Sequence, residues 1–157
     1  MINKNRIIVW LAGLLACLTA CVADKEEPEW YLRAGDELPL FEVTTIDGAT
    51  VSSADSYKTE MIIVFFNTTC ADCRRELPIL QKQYENDQKI TEEARPQYIC
   101  ISREEGRADV ERYWKEEGLT MPVAAQDDRI LYSKFASIGI PRIFYAKDGV
   151  VIRSEIN

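Results

Sequence analysis

A single α/β domain with a mixed-direction central sheet is what this sequence predicts, on three observations. Met61-Ile62-Ile63-Val64-Phe65-Phe66 is an unbroken apolar run, the pattern of a central strand buried on both faces. It passes through Asn67-Thr68-Thr69 straight into a helical stretch over 70–88. Strand and helix patterns then alternate and finish in a hairpin, an order of elements that needs parallel and antiparallel neighbours in one sheet. A length of 157 residues suits one domain and is short for two, and 46% apolar with 29% charged residues can fill a core.

The chain divides into residues 1–20, a leader; 21–34, a tether; and 35–157, the folded domain. The leader opens with the basic residues Lys4 and Arg6, and 7–20 is almost wholly apolar. That apolar stretch is shorter than the ~20 residues a membrane-spanning helix needs, so it reads as the core of a secretory signal peptide. It ends Leu18-Thr19-Ala20-Cys21, which resembles the bacterial lipobox; the resemblance implies cleavage after residue 20 and lipid attached to Cys21. An ordinary signal peptide or an uncleaved anchor is the other reading, and Leu14-Leu15-Ala16-Cys17 is a weaker competing box. Residues 22–30 are polar, acidic and proline-containing, as a solvated tether should be. Within them Lys25-Glu26-Glu27 resembles surface-sorting signals of some lipoproteins, and a plain spacer explains it equally well.

In the folded part, residues 41–45 alternate, and Asp47-Gly48 separates them from Thr50-Val51-Ser52, predicting a hairpin. The 70–88 helix carries Leu77, Leu80 and Tyr84 on one stripe. Residues 98–101 form a second buried strand, and Val110, Tyr113 and Trp114 mark an amphipathic helix stopped by Gly118. A short helix is expected over 127–135, with Ile130, Leu131 and Phe135 inward. Residues 143–145 and 150–152 flank Ala146-Lys147-Asp148-Gly149 as the closing hairpin. Cys100, Tyr113 and Trp114 read as core residues.

Charge and composition exclude several functions. The formal charge is −7, and removing the leader leaves 17 basic against 26 acidic residues, a surface that repels phosphate backbones. Histidine is absent, which excludes His-dependent triads, Cys-His dyads and His-ligated metals.

The chemistry resides in Cys70-Ala71-Asp72-Cys73, at the handover from buried strand to helix. A spacing of three puts both sulfurs on one helix face, near enough for a short disulfide loop. The unpaired N–H groups and dipole of a helix start stabilise a thiolate, the attacking species in disulfide exchange. Cys70, the more N-terminal thiol, is therefore the expected nucleophile, and Cys73, one turn deeper, the resolving thiol. Arg74 and Arg75 favour an anion here and Asp72 opposes it; the sequence leaves that balance open. A structural disulfide or half of a zinc site are the alternatives, the second lacking ligands in a chain without histidine.

Phe65-Phe66-Asn67-Thr68-Thr69-Cys70-Ala71-Asp72-Cys73-Arg74-Arg75-Glu76-Leu77-Pro78 resembles the strand, active-site loop and helix of the thioredoxin superfamily, and within it the membrane-tethered TlpA/ResA-type proteins of the redoxin group. The likeness spans about residues 35–152, with Pro78 at the place of the helix-kinking proline. It implies a thioredoxin-like fold whose central insertion falls at about 102–123, since 71 residues separate Cys70 from Pro141. Gly139-Ile140-Pro141 matches the loop whose proline is cis and offers backbone groups to an extended substrate, so the resemblance implies that Ile140, Pro141 and Arg142 bind substrate. Glu76 holds the position of a glutamate that handles a proton for the buried thiol; a solvated Glu paired with arginine is the alternative. Departures are Thr69 where tryptophan is common, Val64 where thioredoxin has a buried aspartate, and Arg142 where threonine is commoner. Arg142 would attract an acidic substrate, stabilise Cys70, or simply be solvated. With Asn157 so close to the last strand, the family's C-terminal helix is expected to be missing, leaving one face less covered or closed by a partner.

The function so implied is a thiol–disulfide oxidoreductase, a reductase of the bacterial cell envelope, lipid-anchored with its domain facing the periplasm or the cell surface. It would act without a cofactor or metal on disulfide-containing envelope proteins or small disulfides. A membrane electron donor would re-reduce it, and no nucleic acid is involved. A peroxiredoxin-like peroxidase shares the fold but needs threonine where Asn67 stands. A binding lipoprotein that uses the fold as a scaffold is the non-catalytic alternative.

Overall fold

The computed structural model describes residues 29–156; the leader, Cys21 and most of the tether lie outside the described residues. The fold is α/β and thioredoxin-like, as the sequence implied. Strands β1 (Glu42–Thr44) and β2 (Thr50–Ser52) form an antiparallel hairpin with Val43 opposite Val51. Next comes β3 (Met61–Phe66), with all six residues buried. It hands over at residues 67–70 to helix α1 (Ala71–Asp87). Strand β4 (Gln97–Ser102), helix α2 (Arg107–Glu116) and the two-residue β5 (Val123–Ala124) follow. Strands β6 (Arg142–Lys147) and β7 (Val150–Ile156) close the domain.

The main sheet has the order β5-β4-β3-β6-β7. β3 pairs parallel with β4, Ile63 opposite Ile99, and antiparallel with β6, Ile63 opposite Phe144. The unbroken apolar sequence of β3 follows from this central place, because both of its faces need a core. Met61, Ile63 and Phe65 join Phe135, Phe144 and Tyr132 on one face. Ile62, Val64 and Phe66 meet Cys73, Leu77 and Leu80 of α1 and Trp114 of α2 on the other. Trp114, a core residue as expected, donates its indole N–H to the Met121 carbonyl at 2.9 Å.

The β6–β7 turn is made by Asp148 and Gly149, with φ of 51° and 75°. Two consecutive left-handed residues are what a two-residue hairpin requires, and Asp-Gly supplies them. Helix α2 lies in the predicted insertion between β4 and β5 and ends as Gly118 turns left-handed at φ 65°.

The helix expected over 127–135 is a correction. Only Tyr132–Lys134 form a single 3-10 turn there, and Ile130 is 69% exposed rather than inward. The Asp128 carboxylate accepts the Ile130 N–H at 2.8 Å, a local bond that competes with helix formation. Leu131 and Phe135 are buried as expected.

Residues 30–38 run along the domain. Trp30 and Ser137 exchange backbone and side-chain hydrogen bonds, and Tyr31 bridges Ala136. Gly35 donates to the Val151 carbonyl at 2.8 Å and Leu38 to that of Gly149 at 2.9 Å, so the edge of β7 is covered in part. Arg153 of β7 lies 3.6 Å from the centroid of the Tyr145 ring and pairs with Glu155 at 2.8 Å.

Candidate active site

The handover from β3 to α1 is built by Asn67. Its side-chain oxygen accepts the Thr69 N–H at 2.9 Å, its backbone carbonyl accepts the Cys70 N–H at 3.1 Å, and its amide donates to the Arg103 carbonyl at 3.0 Å. Thr68 is buried, and its N–H donates to Glu105 at 3.0 Å while its hydroxyl also bonds that carboxylate. The active-site loop is thereby fixed to the end of β4. Glu105, 7% exposed, was not legible in the sequence, because 37 residues separate it from Thr68 and no local pattern links them.

Cys70 caps α1 in an extended conformation (φ −75°, ψ 121°) with no side-chain cap. The first-turn N–H groups of a helix have no intrahelical partner and face outward from its start. The half-buried Cys70 sulfur contacts the Ile140 carbonyl, Sγ to oxygen 3.6 Å. The Ile140–Pro141 peptide is cis, so the predicted loop does sit beside the thiol.

Cys73 differs in every respect. It is fully buried under the sheet, and burial pushes its thiol up to about 12. The Asn67 backbone works against that rise, while Cys70 and Asp72 add to it. Cys70, Cys73 and Cys100 are free thiols. Cys100 has no exposed surface, and burial alone raises its pKa. The charged residues beside the motif find partners of their own. Arg75 pairs with Asp72, and Arg74 turns to Glu117 at 3.6 Å and to the ring of Tyr113 at 5.4 Å.

Glu76 lies three residues beyond Cys73 on α1, half-buried, with no hydrogen bond or ion pair among the described residues. The paired, solvated alternative finds no partner. Arg142 is not brought to the sulfurs. It is 5% exposed, not solvated, and its guanidinium stacks 4.5 Å from the ring of Tyr31. Its Nη2 donates to the Ile138 carbonyl at 3.1 Å. Gly139, at φ 89°, passes so near that a Cβ there would stand 3.0 Å from that nitrogen. A cleft of about 440 Å³ lined by Asp47, Tyr84, Arg95 and Tyr98 includes neither cysteine.

Two thiols of unequal burial at a helix start, beside a cis-proline loop on a thioredoxin-like sheet, define a thiol–disulfide oxidoreductase. The chain is similar to the thiol–disulfide oxidoreductase ResA of Bacillus anthracis, 26% identical over 163 aligned positions that cover 98% of this chain and 90% of the relative. Among solved structures it resembles a candidate protein disulfide isomerase of Bacteroides thetaiotaomicron, with a TM-score of 0.73 and 25% identity over 83% of each chain. A thiol:disulfide interchange protein of the thioredoxin family from Chlorobium tepidum superposes with a TM-score of 0.62 and 25% identity, covering 83% of this chain and 89% of that one. The AhpC/TSA family model matches residues 34–154; the chain belongs to that family and is of its ResA/TlpA type.

Proposed function

We propose that this protein is a disulfide reductase of the bacterial cell envelope, working through Cys70 and Cys73. The observation that carries the reading is the asymmetry of the pair. One sulfur is accessible and 3.6 Å from the Ile140 carbonyl, whereas the other is buried with its proton held to about 12. At neutral pH Cys73 is thus a poor nucleophile, and attack falls to Cys70.

The Cys70 thiolate attacks one sulfur of a substrate disulfide, and the other sulfur leaves as a thiolate. Cys73 then loses its proton and attacks the Cys70 sulfur of the mixed disulfide. The second substrate thiol is released, and two electrons have passed from the pair to the substrate. Glu76, with a free carboxylate one turn beyond Cys73, is the group that takes that proton. Ile140 and Pro141 hold the substrate backbone beside Cys70, and Arg142 acts on the substrate from beneath the loop. An external dithiol donor at the membrane restores the pair. The apolar leader and Cys21 support secretion and lipid anchoring, which would bring the domain to that donor.

Insulin-disulfide reduction by wild type, Cys70→Ser and Cys73→Ser tests this. Loss of attack in the first variant and a trapped mixed disulfide in the second are expected. Equal turnover by all three proteins would sink the mechanism.

A further inference from the structure

Beneath the cis-proline loop, on the sheet face away from α1, two guanidinium groups lie over one ring and a third lies against the same loop. Arg103 and Arg129 lie 4.8 and 5.7 Å from the centroid of Tyr132. The Tyr132 hydroxyl donates to the Gly139 carbonyl at 2.6 Å, and the charges of Arg103 and Arg142 offset part of the rise that burial gives its pKa. Arg142 reaches the same loop, where its Nη2 would stand 3.0 Å from a Cβ at Gly139.

These cations are under-neutralised. Glu104 is 3.4 Å from Arg103 and 3.9 Å from Arg129, and its side chain is 48% exposed. Arg142 has no carboxylate partner among the described residues, and its buried Nε has no hydrogen-bond partner. The Nε of Arg103 is likewise without one, since its contact to Glu104 lacks hydrogen-bond geometry. Elsewhere Lys58, Arg75, Arg107 and Arg112 each have an acid three or four residues away. Two of the three cations thus share one half-exposed carboxylate, and the third has none among the described residues. Burying a cation without a partner costs stability, and an incoming anion removes that cost.

The cluster is linked to the active-site loops by immediate neighbours. Arg142 follows Pro141 directly, and Arg103 both donates to the Phe66 carbonyl and receives the Asn67 amide. A peptide extended over the loop advances about 3.3 Å per residue, so its second or third residue from the attacked cysteine lies roughly 7 to 10 Å further along.

We propose that Arg103, Arg129 and Arg142 form a carboxylate subsite that selects polypeptide substrates with Asp or Glu within about three residues of the disulfide cysteine. The proposal rests on the oxidoreductase reading and deepens it. Arg142 as a mere brace of the loop, held by Tyr31 and Ile138, gives no charge preference. The field of an acidic protein gives the opposite one, for cationic substrates.

The test uses the full chain and disulfide-closed synthetic peptides with Asp, Asn or Lys two residues after the cysteine. Oxidised glutathione and its ethyl ester form the small-molecule arm. The expected order of kcat/KM is Asp over Asn over Lys, with Asp about tenfold ahead of Asn and the gap narrowing as salt rises. The Asp-to-Asn ratio should fall towards one in Arg142→Gln and in Arg129→Gln, the latter at an exposed position where folding is secure. A preference for oxidised glutathione over its ester, without one among the peptides, would overturn the polypeptide assignment. A preference for Lys, no preference, or an Asp preference unchanged in both variants would overturn the subsite while leaving the oxidoreductase reading intact. If no disulfide reacts with Cys70, both fall together.

Discussion

At Cys73 a single proton couples reactivity to stability. Burial holds that proton to about 12 against an ordinary 9.0, so the folded chain binds it over a range where the unfolded chain has lost it. The stability this contributes is fully present below pH 9 and is lost as pH rises towards 12. Chemical denaturation of the reduced protein should therefore show stability falling across that window. Cys73→Ala should fall less steeply, and a matching slope in the two would contradict the assignment. Cys100, raised in the same direction by burial, leaves some slope in the variant. The two cysteines of the motif were legible from their spacing, a local property, and the cis-proline loop from the resemblance of Gly139-Ile140-Pro141 to the family's loop. Glu105 and the Tyr132–Arg142 neighbourhood were not, since tertiary contacts bring those residues together across strands and loops. The place of Arg142 had a visible residue type but no visible orientation: whether a β6 side chain points to α1 or away from it is decided by register with β3.

Helix α1 is tied to the segment after α2 by one side chain. Gln81, 6% exposed, donates to the Thr120 hydroxyl at 2.7 Å and accepts the backbone N–H groups of Thr120 and Met121 at 2.9 and 3.2 Å. Gln81→Ala strands these donors under the helix and should cost about 2 kcal/mol in unfolding free energy, with Gln81→Glu unable to repeat the donation to Thr120. Urea denaturation reads the loss, and an unchanged midpoint would show that water replaces the bonds. Among the elements themselves, β3, β4, α1 and the β6–β7 hairpin followed from apolar runs and an Asp-Gly turn. The 127–135 stretch did not, because Asp128 captures a backbone N–H that a helix would need, and an apolar pattern alone does not reveal such competition.

Across the whole molecule, residues 30–38 act as an extra edge, joined to Ala136 and Ser137 at one end and to β7 at the other. Leu32 packs against the core and Tyr31 covers Arg142. Deleting residues 1–32 should lower the melting temperature by about 3 °C or more for a domain of this size, relative to deleting 1–28 alone. Equal melting of the two truncations by calorimetry would show the edge to be ornamental to stability. The course of this segment also has a geometrical outcome. The chain joins the domain beside the proline loop, so any attachment upstream would enter the molecule at its reactive rim rather than at the far end of the sheet.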